Sequence, residues 1–334
     1  MKAVVVGNGR GVHVSRMPCP VLGPGQIEIV VRRSLVSSGT ELHYSDTMRQ
    51  SRELFRLGYC AVGEVTALAR DVAEPRVGSR MLAMGWQHAT HSERICVPQR
   101  LVVELPAGLD FDSAVFGGLA ATALHATHRG RHRGGERTLV VGLGLVGQLV
   151  AQCVRRSSSF LAIADRVPMR CRIACETGAD EVFALDRPSE VGAGGFDVVY
   201  LCVTGDATGI FARIFPIMAR AVDGQPRGRI VCVGRFAASI PFGPELGNVD
   251  FRYSARCGAG YRFDPYVAGA TDIVPEDGEQ TVDANLRQAV GMIATGRIKA
   301  KALHTHTVPI AQAADAYALA QRPDQALGVI ISYP

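Results

Sequence analysis

The chain has 334 residues, 47% of them apolar, with a formal net charge of +5, nine cysteines and a single tryptophan. This length exceeds one ordinary core, so two domains are expected. No apolar run approaches the roughly 18 residues of a membrane span, and no apolar leader follows Met1, so the protein reads as soluble and cytoplasmic. The odd, scattered cysteines, several inside apolar runs such as Tyr200-Leu-Cys202-Val, exclude a disulfide scaffold, and the dispersed arginines argue against nucleic acid as a partner.

Short strands dominate up to residue 120: Ala3-Val-Val-Val6, Gln26-Ile-Glu-Ile-Val-Val31, Ala61-Val-Gly-Glu-Val65, Arg94-Ile-Cys-Val97 and Leu101-Val-Val-Glu-Leu105. Pro20, the Gly23-Pro24-Gly25 turn, Gly78 and Pro98 break them, which predicts a β-rich, partly helical domain. The dense group Arg129, Arg131, Arg133, His128 and His132 follows and reads as a solvated loop. From Arg137 the rhythm becomes strand, glycine turn, helix. Strands are expected at Thr138-Leu-Val-Val-Gly142, 160–164, 181–183, 197–203 and 228–234, with helices after Gly144, across 169–178 and across 209–221. That alternation predicts a doubly wound parallel sheet, an α/β class. Beyond Tyr261 come a polar stretch at 272–283, a helix near 285–295, a strand at 302–308, a helix at 310–319 and a last strand at 326–332.

Gly142-Leu-Gly144-Leu145-Val146-Gly147 follows a strand and opens a helix. In that setting the first glycine makes the turn, the second admits a pyrophosphate and the third lets helix and strand pack closely, while the helix N-terminus favours an anion. Asp165 falls at the end of the next strand, about 20 residues on, where a carboxylate accepts from ribose hydroxyls and repels a 2′-phosphate. NAD is therefore expected in preference to NADP. Arg166, adjacent, pulls the other way because a guanidinium pairs with that phosphate.

Together with Gly39-Thr-Glu-Leu-His43, Gly58-Tyr-Cys-Ala-Val-Gly63, Ala121-Thr-Ala123 and Glu176-Thr-Gly-Ala179, the glycine motif makes the whole chain resemble the medium-chain dehydrogenase/reductase superfamily. Ser37-Ser-Gly-Thr-Glu41, Gly58-Tyr59 and Gly258-Ala-Gly-Tyr-Arg-Phe-Asp-Pro265 resemble a branch that includes bacteriochlorophyllide 2-hydroxyethyl dehydrogenases and proteins thought to act on sugars or cyclitols. The resemblance implies a β-rich GroES-like catalytic domain at 1–119, a Rossmann domain at 120–259, and a return to the catalytic domain at 260–334. It also implies a homodimer. In the zinc enzymes of this superfamily the metal is held by a Cys, a His and a later Cys. Here Ser38, Tyr59 and Gly118 stand at those positions, Cys60 follows Tyr59 in place of a Glu, and the four-cysteine structural lobe is missing, so no zinc is expected.

Thr40 and His43 match the hydroxyl and imidazole that relay the substrate proton in the alcohol dehydrogenases. With zinc gone, Tyr59 is the candidate hydrogen-bond donor to the reacting oxygen, Glu41 completes an acid/base chain, and His91, five residues after Trp86, is a substrate-contact candidate. Thr122, Val203, Thr204, Val233 and Gly234 match positions that flank the nicotinamide, and Arg235 lies just beyond. The leading expectation is a zinc-independent, NAD-dependent dehydrogenase interconverting a secondary alcohol and a ketone on a small polar ring. A zinc-free enone or quinone reductase is the rival enzyme reading, and a non-catalytic dinucleotide-binding protein the third.

Overall fold

A computed structural model describes residues 1–185, 195–276 and 278–334. The chain forms two compact units, one of Met1–Ala121, Cys257–Glu276 and Gln280–Pro334, the other of Thr122–Arg256 with a short piece ending at Glu279.

The first unit is organised by one strand. Gln26–Val36 alternates Ile27, Ile29 and Val31 into the core, and it pairs with three neighbours: Cys60–Leu68, Arg94–Pro98 and the C-terminal Gly328–Ser332. Period-two alternation is what a strand with one buried face requires. Two register shifts against Cys60–Leu68 let this long strand bend. It ends in buried Leu35 and Val36 and hands the chain to the helix Ser38–Thr47. A separate three-stranded sheet orders Arg10–Arg16, Lys2–Gly7 and Phe55–Arg56.

The second unit is a six-stranded, wholly parallel sheet. Its spatial order is Glu181–Val182, Ser158–Ala164, Glu136–Val141, Val198–Leu201, Arg227–Cys232, Asn248–Tyr253. Counted along the chain this is 3-2-1-4-5-6, with the order reversing between Glu136–Val141 and Val198–Leu201, where ligands of such sheets bind. Leu139, Val141, Ala162, Val199, Leu201 and Ile230 fill the core with Phe196 and Phe211, and strands buried on both faces explain the near-continuous apolar runs.

The expected doubly wound sheet and antiparallel β region are both present. Three details differ. The helix expected across 209–221 stops at Ile214 and tightens into the turn Phe215–Ile217, since Pro216 has no N–H to continue it. The helix expected at 310–319 begins as the turn Ile310–Gln312 and becomes α-helical only over Ala313–Ala320. The edge strand Asn248–Tyr253 escapes sequence reading because Asn248, Asp250 and Arg252 interrupt its apolar residues. Among the described residues no helix is long and apolar enough to cross a membrane.

In the second unit His125, His128 and His132 are desolvated, and burial lowers all three pKa values. An unfolded histidine titrates near 6.5, so below about that pH the unfolded chain takes up protons that the folded chain resists. Stability should therefore decline as pH falls from about 6.5 to 5. Thermal melts across that range check it, and His132→Asn should flatten the slope.

Candidate active site

The helix Ser38–Thr47 carries the candidate proton-transfer residues, and its first turn is fixed by an unusual cap. Ser37 is the N-cap, yet its hydroxyl accepts no first-turn N–H. Instead the Ser37 Oγ receives the Tyr59 hydroxyl at 2.6 Å, and Glu41 Oε1 accepts the Ser37 backbone N–H at 2.9 Å. A carboxylate reaching back to the N-cap amide is half of a capping box, displaced by one residue.

Glu41 is fully buried, with no lysine or arginine among its partners. Its Oε2 lies 2.8 Å from His91 Nε2 and receives the Tyr317 hydroxyl. His91, also fully buried, meets Ser34 Oγ through Nδ1 at 2.7 Å, and Ser34 meets the Tyr333 hydroxyl at 2.7 Å. Gly58 makes room for this histidine: it sits at φ +97°, and a Cβ there would lie 2.5 Å from the His91 backbone nitrogen. Both ring nitrogens of His91 and both oxygens of Glu41 thus face protein groups.

Tyr59 precedes the strand Cys60–Leu68, and burial drives its pKa strongly upward, with hydrogen bonding to Ser37 and with Thr40 partly opposing. Thr40 and His43 lie three apart on the helix, on one face, and both are half-buried. Beside them stand the half-buried rings of Tyr44, Phe55 and Trp86. Trp86 is 4.4 Å from Tyr44, 5.7 Å from Phe55 and 5.8 Å from Tyr59 by ring centroid.

The residues at the zinc-ligand positions do not suit the metal. Cys60 and Met84 are cross-strand partners, so their side chains share a face, and Gly118 packs directly on them. A Cβ at 118 would stand 2.5 Å from Cys60 Sγ and 2.8 Å from Met84 Sδ. The Cys60 thiol donates to the Val115 carbonyl at 3.0 Å, and burial raises its pKa to about 12, whereas zinc binds thiolate. Among the described residues no three His, Cys, Asp or Glu side chains are grouped to hold a metal.

The dinucleotide loop does suit its ligand. Gly142 turns at φ +87° with its Cα against Cys202, and a Cβ at Gly147 would lie 1.8 Å from the Gly142 oxygen, so neither tolerates a side chain. Around Gly144 the space is open, and this N-cap of Leu145–Val154 offers no side-chain cap, leaving first-turn N–H groups for an anion. Asp165 accepts the Leu143 N–H at 2.6 Å and the Val167 N–H at 2.8 Å, pinning this loop to the next one while each oxygen retains acceptor capacity for a ribose hydroxyl. At the carboxyl ends of the neighbouring strands Gly234 presses on the Val203 backbone, and Val233 N–H bonds Leu201. Arg166 and Thr204 are exposed, Val146 and Thr122 half-buried, and Leu145 buried. Arg170, with a guanidinium nitrogen 3.9 Å from Asp165, has no signal in the sequence motif.

No protein-family model matches the chain. It is similar to L-threonine 3-dehydrogenase of Chelativorans sp. (strain BNC1), 28% identical over 216 residues that cover 54% of this chain and 62% of that one. D-guloside 3-dehydrogenase of Escherichia coli (strain K12) is 30% identical over 130 residues, 38% of this chain and 36% of that one. The chain thus spans less than two thirds of the length of these curated relatives. Among solved structures, galactitol-1-phosphate dehydrogenase from Escherichia coli superimposes over 100% of both chains with a TM-score of 0.81 at 14% identity. The chain has the two-domain fold of the medium-chain dehydrogenases and reductases. Alcohol dehydrogenase TADH from Thermus sp. ATN1 shares this fold over 99% of both chains, with a TM-score of 0.77 at 20% identity.

Ser34, Tyr317 and Tyr333, which complete the buried chain around Glu41, carry no local sequence signature. Their contribution is measurable. Glu41→Ala would leave the Ser37 N–H, the Tyr317 hydroxyl and His91 Nε2 without their acceptor in a dry site, and should cost about 3–5 kcal/mol. Denaturant unfolding reads this directly, and a loss below about 1 kcal/mol would show that water replaces the carboxylate.

Proposed function

We propose that this chain is a zinc-independent, NAD-dependent dehydrogenase that interconverts a secondary alcohol and a ketone on a cyclitol, sugar or similar polar ring. The observation that carries the reading is the uncapped glycine-rich helix start with Asp165 bonded across it, a cradle for pyrophosphate beside an acceptor for ribose hydroxyls. The side-chain-free approach of Gly118 to Cys60 and Met84 supports the absence of zinc from the reaction.

When bound, NAD supplies the hydride acceptor. The chain's own residues manage the proton. The alcohol proton passes to the hydroxyl relay of Tyr59, Ser37 and Thr40, and His43, one turn along and half-exposed, delivers it to solvent. Tyr59 stays a neutral phenol throughout, because burial opposes its anion. Glu41 and His91 act one step back: they fix the N-cap amide and Ser37, and hence the orientation of the Tyr59 hydroxyl. In this reading two copies join at the edge strand Asn248–Tyr253, which has a partner strand on one side only in its sheet.

Cyclitols, sugars and simple secondary alcohols incubated with NAD should give NADH absorbance for at least one ring polyol, unaffected by strong chelators. Tyr59→Phe should lower kcat by roughly 10²-fold with NAD affinity unchanged. Reduction of enones or quinones in place of alcohol oxidation would favour the reductase reading. For the cofactor, Asp165→Ser should weaken NAD binding and strengthen NADP binding, read by fluorescence titration of the reduced forms. A wild-type preference for NADP would mean that Arg166 or Arg170 outweighs the carboxylate.

A further inference from the structure

Tyrosines of the first unit mostly direct their protons to a neighbour. Tyr59 donates to Ser37, Tyr266 to Asp283 and Tyr317 to Glu41, while Tyr333 pairs with Ser34. Tyr261 differs. Its oxygen accepts the Trp86 backbone N–H at 2.9 Å, and its own O–H has no acceptor among the described residues. Tyr261 is half-buried, and a phenol proton with no protein acceptor is free to be donated to a bound group.

The position of Tyr261 is fixed from several sides. The preceding turn is held by Asn285 Nδ2 on the Cys257 carbonyl at 2.9 Å, by Ala259 N–H on Gln280 at 3.0 Å and by Val282 N–H on Ala259 at 2.9 Å. Phe263 N–H closes back on Gly260 at 3.0 Å. Desolvation raises the Tyr261 pKa strongly, and the adjacent Cys257 and Tyr59 add to it, so the group remains a neutral donor at any working pH. Trp86, whose turn is held independently by the Gly85 N–H on the Tyr59 carbonyl and the Ala89 N–H on the Gly85 carbonyl, both at 2.9 Å, presents its ring in the aromatic group with Tyr44, Phe55 and Tyr59. Those rings are tilted by 39° to 51° against Trp86, and the nearly parallel pair Tyr44 and Phe55 stack on each other with centroids 6.4 Å apart, which leaves no slot for a flat ring between them. Rings set this way suit the C–H face of a saturated ring better than a flat conjugated macrocycle, which needs such a slot.

We propose that Tyr261 donates its free hydroxyl proton to the reacting oxygen of a hydroxylated saturated ring whose apolar face rests on Trp86, Tyr44 and Phe55. This rests on the dehydrogenase reading and divides the labour within it: Tyr59 and its relay take the alcohol proton away, while Tyr261 stabilises the negative charge that develops on the oxygen. No atom is transferred to Tyr261. It keeps its proton in a hydrogen bond that strengthens as the alcohol loses its own.

The test uses Trp86 as a reporter, since it is the only tryptophan in the chain. Tyr261→Phe should lower kcat for the ring polyol by roughly 10²-fold, leave the KM for NAD unchanged and leave the Trp86 emission of the free protein unchanged. Trp86→Phe keeps the backbone N–H and should instead raise the KM for the polyol with kcat largely retained. In the absence of cofactor, titration with inositol or a methyl pyranoside should change Trp86 emission saturably in the wild type, and Tyr261→Phe should weaken that binding about tenfold. Wild-type kcat in Tyr261→Phe overturns the proposal while leaving the dehydrogenase standing. A kcat loss accompanied by shifted emission of the free variant also overturns it, since the hydroxyl then merely supports the Trp86 turn. If no alcohol is oxidised, the dehydrogenase reading fails and the binding arm decides: saturable emission weakened in Tyr261→Phe upholds the donor, and its absence removes it.

Discussion

The first unit depends on one buried carboxyl group. Glu41 has no lysine or arginine partner and is fully buried, so its position is set by the donors and the ring around it: the Ser37 amide, the Tyr317 hydroxyl and His91. These come from a strand end, a C-terminal helix and a loop before Arg94–Pro98. Through Ser34 and Tyr333 the chain of bonds also reaches the last strand and its tail. A buried polar network is stable only when each member is satisfied, because in low dielectric an orphaned group costs more than a hydrogen bond returns. The helix bearing Thr40 and His43 is thereby locked in place by residues up to 299 positions apart.

The second unit solves a comparable problem with local means. Asp165 also accepts two backbone N–H groups, but both lie in adjoining loops, and the glycines remove every side chain that would block the approach of helix to strand. The result is a loop held from both sides by one carboxylate, with a helix start that no side chain caps. On the proposed reading the carboxylate has two duties, structural on one set of lone pairs and recognition on the other.

That contrast explains what the sequence discloses. The glycine motif, Asp165 and the parallel sheet are legible because their geometry is dictated by residues within one βαβ unit, where spacing translates directly into position. The edge strand Asn248–Tyr253 is not, since its polar residues hide the alternation, and neither is the stop at Pro216, since the apolar pattern runs past it. At the candidate active site the residue types are visible as the remains of a motif, yet their roles depend on partners found only in three dimensions. Glu41 and His91 stand out in the sequence as chemistry, and in the fold both are enclosed by protein groups. Tyr261 lies in the motif Gly258–Pro265, yet nothing in that run of residues shows that its oxygen accepts the Trp86 amide.

The packing of Gly118 on Cys60 and Met84 also couples these positions to one another. A β-carbon at 118 overlaps the sulfur of Cys60, and a smaller residue at 60 alone opens a gap beneath Gly118. Two positions 58 residues apart in the chain therefore have to vary together, since a side chain at 118 fits only above a smaller group at 60.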